Sequence, residues 1–238
     1  MVMEVNGYTI GPKAILTCAD FTDADLTEAN LTEANLEGAS LNRANLSGAT
    51  LNEADMTGSY LILANLKKAK LHRADLHGTN LTGANLEDAN LLLANLERAN
   101  LRSANLSGAI LTDANLTGAN LTGAKLNGTK LNGAILTGAI LTGADLLGAK
   151  LNGANLRDAN LEKASMLVAS LIDADLMDAN LAGANLAGAR LNGANLFCAN
   201  LTNANLNGAN LSEANLSEAC LEGARLIRAL MPDGSRHN

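Results

Sequence analysis

The sequence predicts an all-β solenoid, and three observations carry that prediction. Large apolar residues recur at every fifth position from Leu16 to Met231; of these 44 positions forty are Leu, and the others are Phe21, Met56, Met166 and Met231. Two residues before each stands a small residue, Ala everywhere except Ser59, Thr79 and Thr129. In eight consecutive units a Gly follows the Leu by two residues: Gly118, Gly123, Gly128, Gly133, Gly138, Gly143, Gly148 and Gly153. A fixed internal period decides the architecture before local propensity does.

A period of five fits no helix, because an amphipathic helix needs a spacing near 3.6 and a coiled coil one of 3.5. Ala and Leu favour helices, but on a helix a spacing of five would scatter the Leu side chains around the axis. Ala-x-Leu instead reads as in, out, in, the alternation of a short strand. The next two residues must then turn the chain. With Leu as the first residue of the turn, the Gly falls third, at the positive-φ position of a type II turn. Corners holding Glu, Arg or Lys in that slot are expected to adopt negative φ, since a Cβ is costly at positive φ. Short strands joined by regular turns stack into a solenoid whose core is the Leu column.

The unit resembles that of the pentapeptide repeat family, Ala-Asn/Asp-Leu-x-x, and stretches such as Ala29-Asn30-Leu31-Thr32-Glu33 match it as they stand. The resemblance covers about residues 14 to 231. It implies a right-handed, quadrilateral β-helix with four units per coil, hence about 11 coils and a rod on the order of 50 Å long at ~4.8 Å per coil. Residues 1–13 are expected to form an N-terminal cap, 14–231 the β-helix, and 232–238 a C-terminal tail in which Pro232 and Gly234 end strand pairing. That ending resembles the tails of cyanobacterial members.

The formal net charge is −7 and the pI about 4.9, which argues against direct nucleic-acid binding. The start, Met1-Val-Met-Glu-Val, lacks the basic and long apolar segments of a signal peptide. No run approaches the ~18 apolar residues of a spanning helix. A cytoplasmic protein without membrane contact is expected. Cys18, Cys198 and Cys220 are an odd, scattered set, read as free thiols, although a Cys198–Cys220 bridge is conceivable.

With 20 residues per coil, residues i and i+20 stack, and the sequence becomes a surface map. Lys67 then meets Glu87, Lys68 meets Asp88, Arg73 meets Glu53, and His77 meets Glu97. The middle residue of most units is Asn or Asp, suited to ladders of outward side-chain hydrogen bonds. One column departs from this: it carries Lys70, Lys130, Lys150 and Arg190, whereas the other three together hold only Lys125 and Arg225. This sparse basic column on an acidic chain is a candidate protein-binding face. Apolar residues in turn slots, Leu147, Leu167, Val168, Met177 and Phe197, form a candidate contact patch.

Nothing points to catalysis. The three His share no metal-ligand spacing with Cys, and no phosphate loop precedes a helix. No cofactor or metal is expected. The absence of such chemistry, with the large regular surface, predicts a non-enzymatic scaffold that presents that surface to another protein. The alternative comes from the resemblance: some members mimic DNA and bind DNA gyrase. An acidic rod fits that role, but the acids here do not gather on one face.

Overall fold

A computed structural model describes residues 3–237, with Met3 described by its backbone alone. Met1, Val2 and Asn238, parts of the expected cap and tail, lie outside the described residues. No helix occurs among those described. Each middle residue forms a parallel bridge with the residue 20 positions on, from Ile15 with Asn35 through to Asn210 with Leu230. One coil therefore takes four units, and the chain has four faces. The first runs from Ile15 to Asn215, the second from Asp20 to Cys220, the third from Asp25 to Arg225, and the fourth from Asn30 to Leu230.

Three repeated backbone hydrogen bonds join and shape the coils. The Leu121 N–H donates to the Ile140 carbonyl on the next coil at 2.7 Å, and the corner N–H of Gly138 donates to Arg157 at 2.9 Å. Within the corner, the Ala139 N–H donates back to Leu136 at 2.9 Å. From Leu26 to Leu211 every member of the Leu column is at most 1% exposed, so the axis is filled by side chains. Two of the three substitutes for Ala satisfy their buried hydroxyls: Thr79 donates to the Met56 carbonyl and Thr129 to Leu106. The Ser59 hydroxyl has no partner. The Leu column, expected as the core, is incompletely covered at its end. Leu216, Leu221, Leu226 and Met231 are only partly buried, because no further coil stacks on them.

All eight glycines from Gly118 to Gly153 have positive φ, between 63° and 66°, as the type II corner requires. The expectation for the other corners was wrong. Glu28 (φ 55°), Arg43 (58°), Lys68 (58°) and even Val168 (51°) take the same left-handed conformation. The reason is cooperative. The Glu28 corner makes the same bonds as a Gly corner, its N–H reaching Ser47 at 2.9 Å and Ala29 reaching Leu26 at 3.0 Å. A negative-φ, type I corner keeps the second bond but flips the central peptide and so turns the Glu28 N–H away from Ser47. The local cost of ~1–2 kcal/mol per residue is therefore overruled by the ladder. Gly has a second use here: the Asp113 and Asp173 carboxylates fold over Gly133 and Gly193 one coil on, into the space a Cβ would occupy.

A hairpin precedes the first coil. Strand β1 (Met3–Val5) pairs antiparallel with β2 (Tyr8–Ile10) across Asn6-Gly7, both at positive φ, the signature of a type I′ turn. Ile10 is buried, and the Tyr8 ring lies 5.1 Å from that of Phe21. The hairpin thus packs its apolar side on the start of the core.

Candidate functional site

The regular surface is defined by one repeated device. The Asn or Asp in the middle of a unit accepts the N–H of the residue two positions on, as when Asn35 Oδ1 accepts from Glu37 at 3.0 Å. Its amide also reaches the neighbouring coil: Asn65 donates to Asn45 at 2.9 Å and Asn115 to Asn95 at 3.1 Å. Most corner amides are thereby satisfied, and long stretches of the faces are tied by a ladder. At some corners where the middle residue is not Asn or Asp, an Asn from the preceding coil takes over. Asn52 serves His72 beside Lys70, Asn132 serves Asn152 beside Lys150, and Asn152 serves Ile172 beside Ser170.

The device fails around one whole coil. The middle residues of units 125, 130, 135 and 140 are Lys125, Lys130, Ile135 and Ile140, so all four faces lose the Asn at the same level. The corner amides of Asn127, Asn132, Thr137 and Thr142 have no acceptor among the described residues. All four corners of this coil are Gly. Ile135 and Ile140 project 42% and 39% exposed on the first and second faces, with Lys125 and Lys130 exposed on the third and fourth. Reading each face separately missed Ile135 and Ile140; the signal was the simultaneous loss of Asn from four successive units.

Lys130 and Lys150 are bridge partners on adjacent coils of the fourth face, with Ile110 on the other side of Lys130. Lys70 stands apart, with Asn90 and Ile110 between it and Lys130, and Arg190 lies beyond Ser170. None of these four, nor Lys125, is in an ion pair among the described residues. Other basic residues do find partners. Arg43 holds Asp23 through two hydrogen bonds of 2.7 and 2.6 Å, which lower the Asp23 pKa and raise that of Arg43. Of the four stacked pairs expected, Lys67–Glu87 forms at 3.0 Å; the other three are not ion-paired. Asp88 lies over Gly108 instead, and Glu97 meets Arg98.

The apolar candidates separate into two places. Leu147, Leu167 and Val168 share the corner between the third and fourth faces, next to Lys150, and are 41%, 37% and 55% exposed. Val168 is β-branched and at positive φ, an outlier among corner residues. Met177 and Phe197 stack on the diagonally opposite corner and are half-buried. The structure therefore joins Leu147, Leu167 and Val168 to Lys130 and Lys150 as one strip, and leaves Met177 and Phe197 out of it.

All three cysteines are free. Partial burial raises the Cys198 pKa, helped by Asp178 and Glu218, whereas hydrogen bonds from Thr202 and the Glu222 N–H lower that of Cys220. No cluster of His, Cys, Asp and Glu suited to a metal occurs among the described residues. A shallow groove beside the hairpin, lined by Ile10, Pro12, Thr27 and Glu28, is open to solvent.

A family profile described as Pentapeptide repeats matches in eight copies, spanning residues 13–43, 39–78, 79–118, 119–158, 133–167, 154–193 and 194–231. Among solved structures, HetL is 39% identical, with 95% of this chain and 92% of that chain covered and a TM-score of 0.42; it is a pentapeptide repeat protein involved in heterocyst differentiation regulation from the cyanobacterium Nostoc sp. strain PCC 7120. Rfr23, from the cyanobacterium Cyanothece 51142, is 29% identical over 61% of this chain and 86% of its own, with a TM-score of 0.36. QnrB1, a plasmid-mediated fluoroquinolone resistance protein, is 19% identical over 71% of this chain and 84% of its own, with a TM-score of 0.42. No curated protein matches the sequence. With the repeat profile matching most of its length, and the Leu column and 20-residue ladder already seen, this chain belongs to the pentapeptide repeat family.

Proposed function

We propose that the chain is a non-enzymatic interaction protein whose fourth face, with the corner leading into it, holds a protein partner. The observation that carries this reading is the strip itself. Lys130 and Lys150 stack without ion-pair partners beside exposed Leu147, Leu167 and Val168, on a chain of net charge −7. Elsewhere the surface is built from Asn ladders and corners whose charged side chains are in part paired with one another, as Arg43 is with Asp23. On the family resemblance, we take the solenoid as right-handed with about 11 coils.

The test is affinity capture from extracts of the source organism, comparing wild type with Lys130→Glu/Lys150→Glu. The proposal expects a captured protein that the double variant loses. Identical capture by both would remove the strip as the binding face. A second reading, gyrase binding, is favoured only by the acidic charge of the rod. Inhibition of gyrase supercoiling by the purified protein would support that reading, and no inhibition at micromolar concentration would end it.

A further inference from the structure

We infer that the basic half of the central coil recognises an acidic protein segment that lies across the Gly128 corner, its carboxylates on the lysines and uncapped amides and its apolar side chains on Leu147, Leu167 and Val168. This rests on the protein-binding reading above and specifies the chemistry of the partner.

Two observations point to an acidic ligand. The first is charge. Lys125 and Lys130 flank the Gly128 corner on adjacent faces, and Lys150 follows Lys130 one coil on. The acids nearest them, Asp145 above Lys125 and Asp113 beside the next corner, form no ion pair with them among the described residues. Like charges one strand spacing apart repel, and a negative partner relieves that repulsion. The second is hydrogen bonding. The N–H groups of Thr112, Asn127, Asn132 and Leu167, clustered at the two corners bordering the fourth face, lack the side-chain acceptor that most corner amides have, as do a few amides elsewhere such as those of Thr137 and Thr142. They lack it because Ile110, Lys125, Lys130 and Ser165 stand where the ladder elsewhere has Asn or Asp. Backbone donors and ammonium groups together match carboxylate oxygens, and hydrogen bonds to a charged acceptor are the stronger kind.

Shape and apolarity select a protein segment over other anions. Gly128 leaves its corner open, with no atom within 4 Å of where a Cβ would stand, so another backbone can approach closely there. Leu147, Leu167 and Val168 stand directly beyond, as apolar anchors that a phosphate backbone would not use. Val168 keeps its side chain at a strained φ of 51°, where the flanking corners Gly148 and Gly188 have none.

The experiment is a titration of the 15N-labelled full chain, followed by amide NMR at low salt. The probe is a twelve-residue peptide of alternating Glu and Leu; the comparisons are the Lys/Leu counterpart, a Glu-only peptide, single-stranded DNA and anionic vesicles. The expected result is a downfield shift of the Thr112, Asn127, Asn132 and Leu167 amides with the Glu/Leu peptide, and weaker shifts with the Glu-only peptide. Lys125→Asn/Lys130→Asn gives the Asn127 and Asn132 amides their acceptors and removes the charges, so it should bind about tenfold more weakly or worse. Ile135→Asn/Ile140→Asn restores acceptors on the opposite side and should bind as wild type does. Four outcomes would overturn the inference: no shift at millimolar peptide, shifts clustered elsewhere, equal losses in both variants, or tighter binding of DNA or vesicles. Extract capture that depends on Lys130 and Lys150, combined with failure of this titration, would leave the protein-binding reading standing and remove only the acidic segment.

Discussion

The side-chain oxygen of Asn132 accepts the backbone N–H of Asn152, one coil further on, at 3.1 Å. Lys150 occupies the position from which an Asn would normally cap that amide, so Asn132 is a substitute cap. Asn127, one unit earlier, has the same side chain and an idle one: its Oδ1 is buried without a partner, because Asp145 already accepts from Leu147. Asn132→Ala should therefore cost about 1 kcal/mol, the usual price of an orphaned amide. Asn127→Ala should be close to neutral. Urea melts of the two variants check this, and equal losses would contradict the capping account.

Truncation of the core should depend on position along the rod. Leu121 is fully buried, and Leu121→Ala should destabilise by roughly 2–5 kcal/mol. Leu121→Asp should do worse, since it buries a charge without a partner. Leu221→Ala, at the partly buried last coil, should cost less than half as much as Leu121→Ala. Denaturant melts again decide.

Val168 holds a β-branched side chain at φ 51° while 55% exposed. Asn tolerates this conformation far better than Val. Val168→Asn should raise stability by up to ~1 kcal/mol while removing an apolar anchor. A variant no more stable than wild type would mean that Val168 packing offsets the strain. Calorimetry gives the answer.

Acid should weaken the first coils. The Asp25 carboxylate accepts from the Thr27 hydroxyl at 2.5 Å and the Thr27 N–H at 3.1 Å, and these bonds lower its pKa, with a smaller contribution from Asn45. A carboxylate with a lowered folded pKa adds stability above its unfolded value, near 3.9, and loses it as pH falls through the folded one. Asp25→Asn keeps the acceptor without the proton site. The difference in thermal midpoint between wild type and Asp25→Asn should therefore shift in the variant's favour below about pH 4. A difference independent of pH would show that Asp25 is not linked to folding.

The Leu column, the strand-like Ala-x-Leu and the coil-to-coil stacking of Lys130 on Lys150 were legible in the sequence, because each follows from a period that chemistry enforces at every unit. The corner conformation at Glu28 or Arg43 was not. A single residue's preference argues for negative φ, and only the assembled ladder shows that it is outvoted. The coupling of Asn52 to His72 was hidden for the same reason, since it pairs a side chain with a backbone group 20 residues away. Ile135 and Ile140 are visible in the sequence as gaps in the Asn column, but only when the units are read around a coil rather than down a face.

The account's central claim is that recognition resides in the few departures from the repeat, not in the rod itself. It is tested most directly by measuring binding of the captured partner to wild type and to Lys130→Glu/Lys150→Glu at low and high salt, alongside urea melts of both. The account predicts matching melts, weaker binding by the variant at low salt, and convergence at high salt as screening removes the charge term. Equal binding at low salt would contradict it and reduce the basic column to ordinary surface variation.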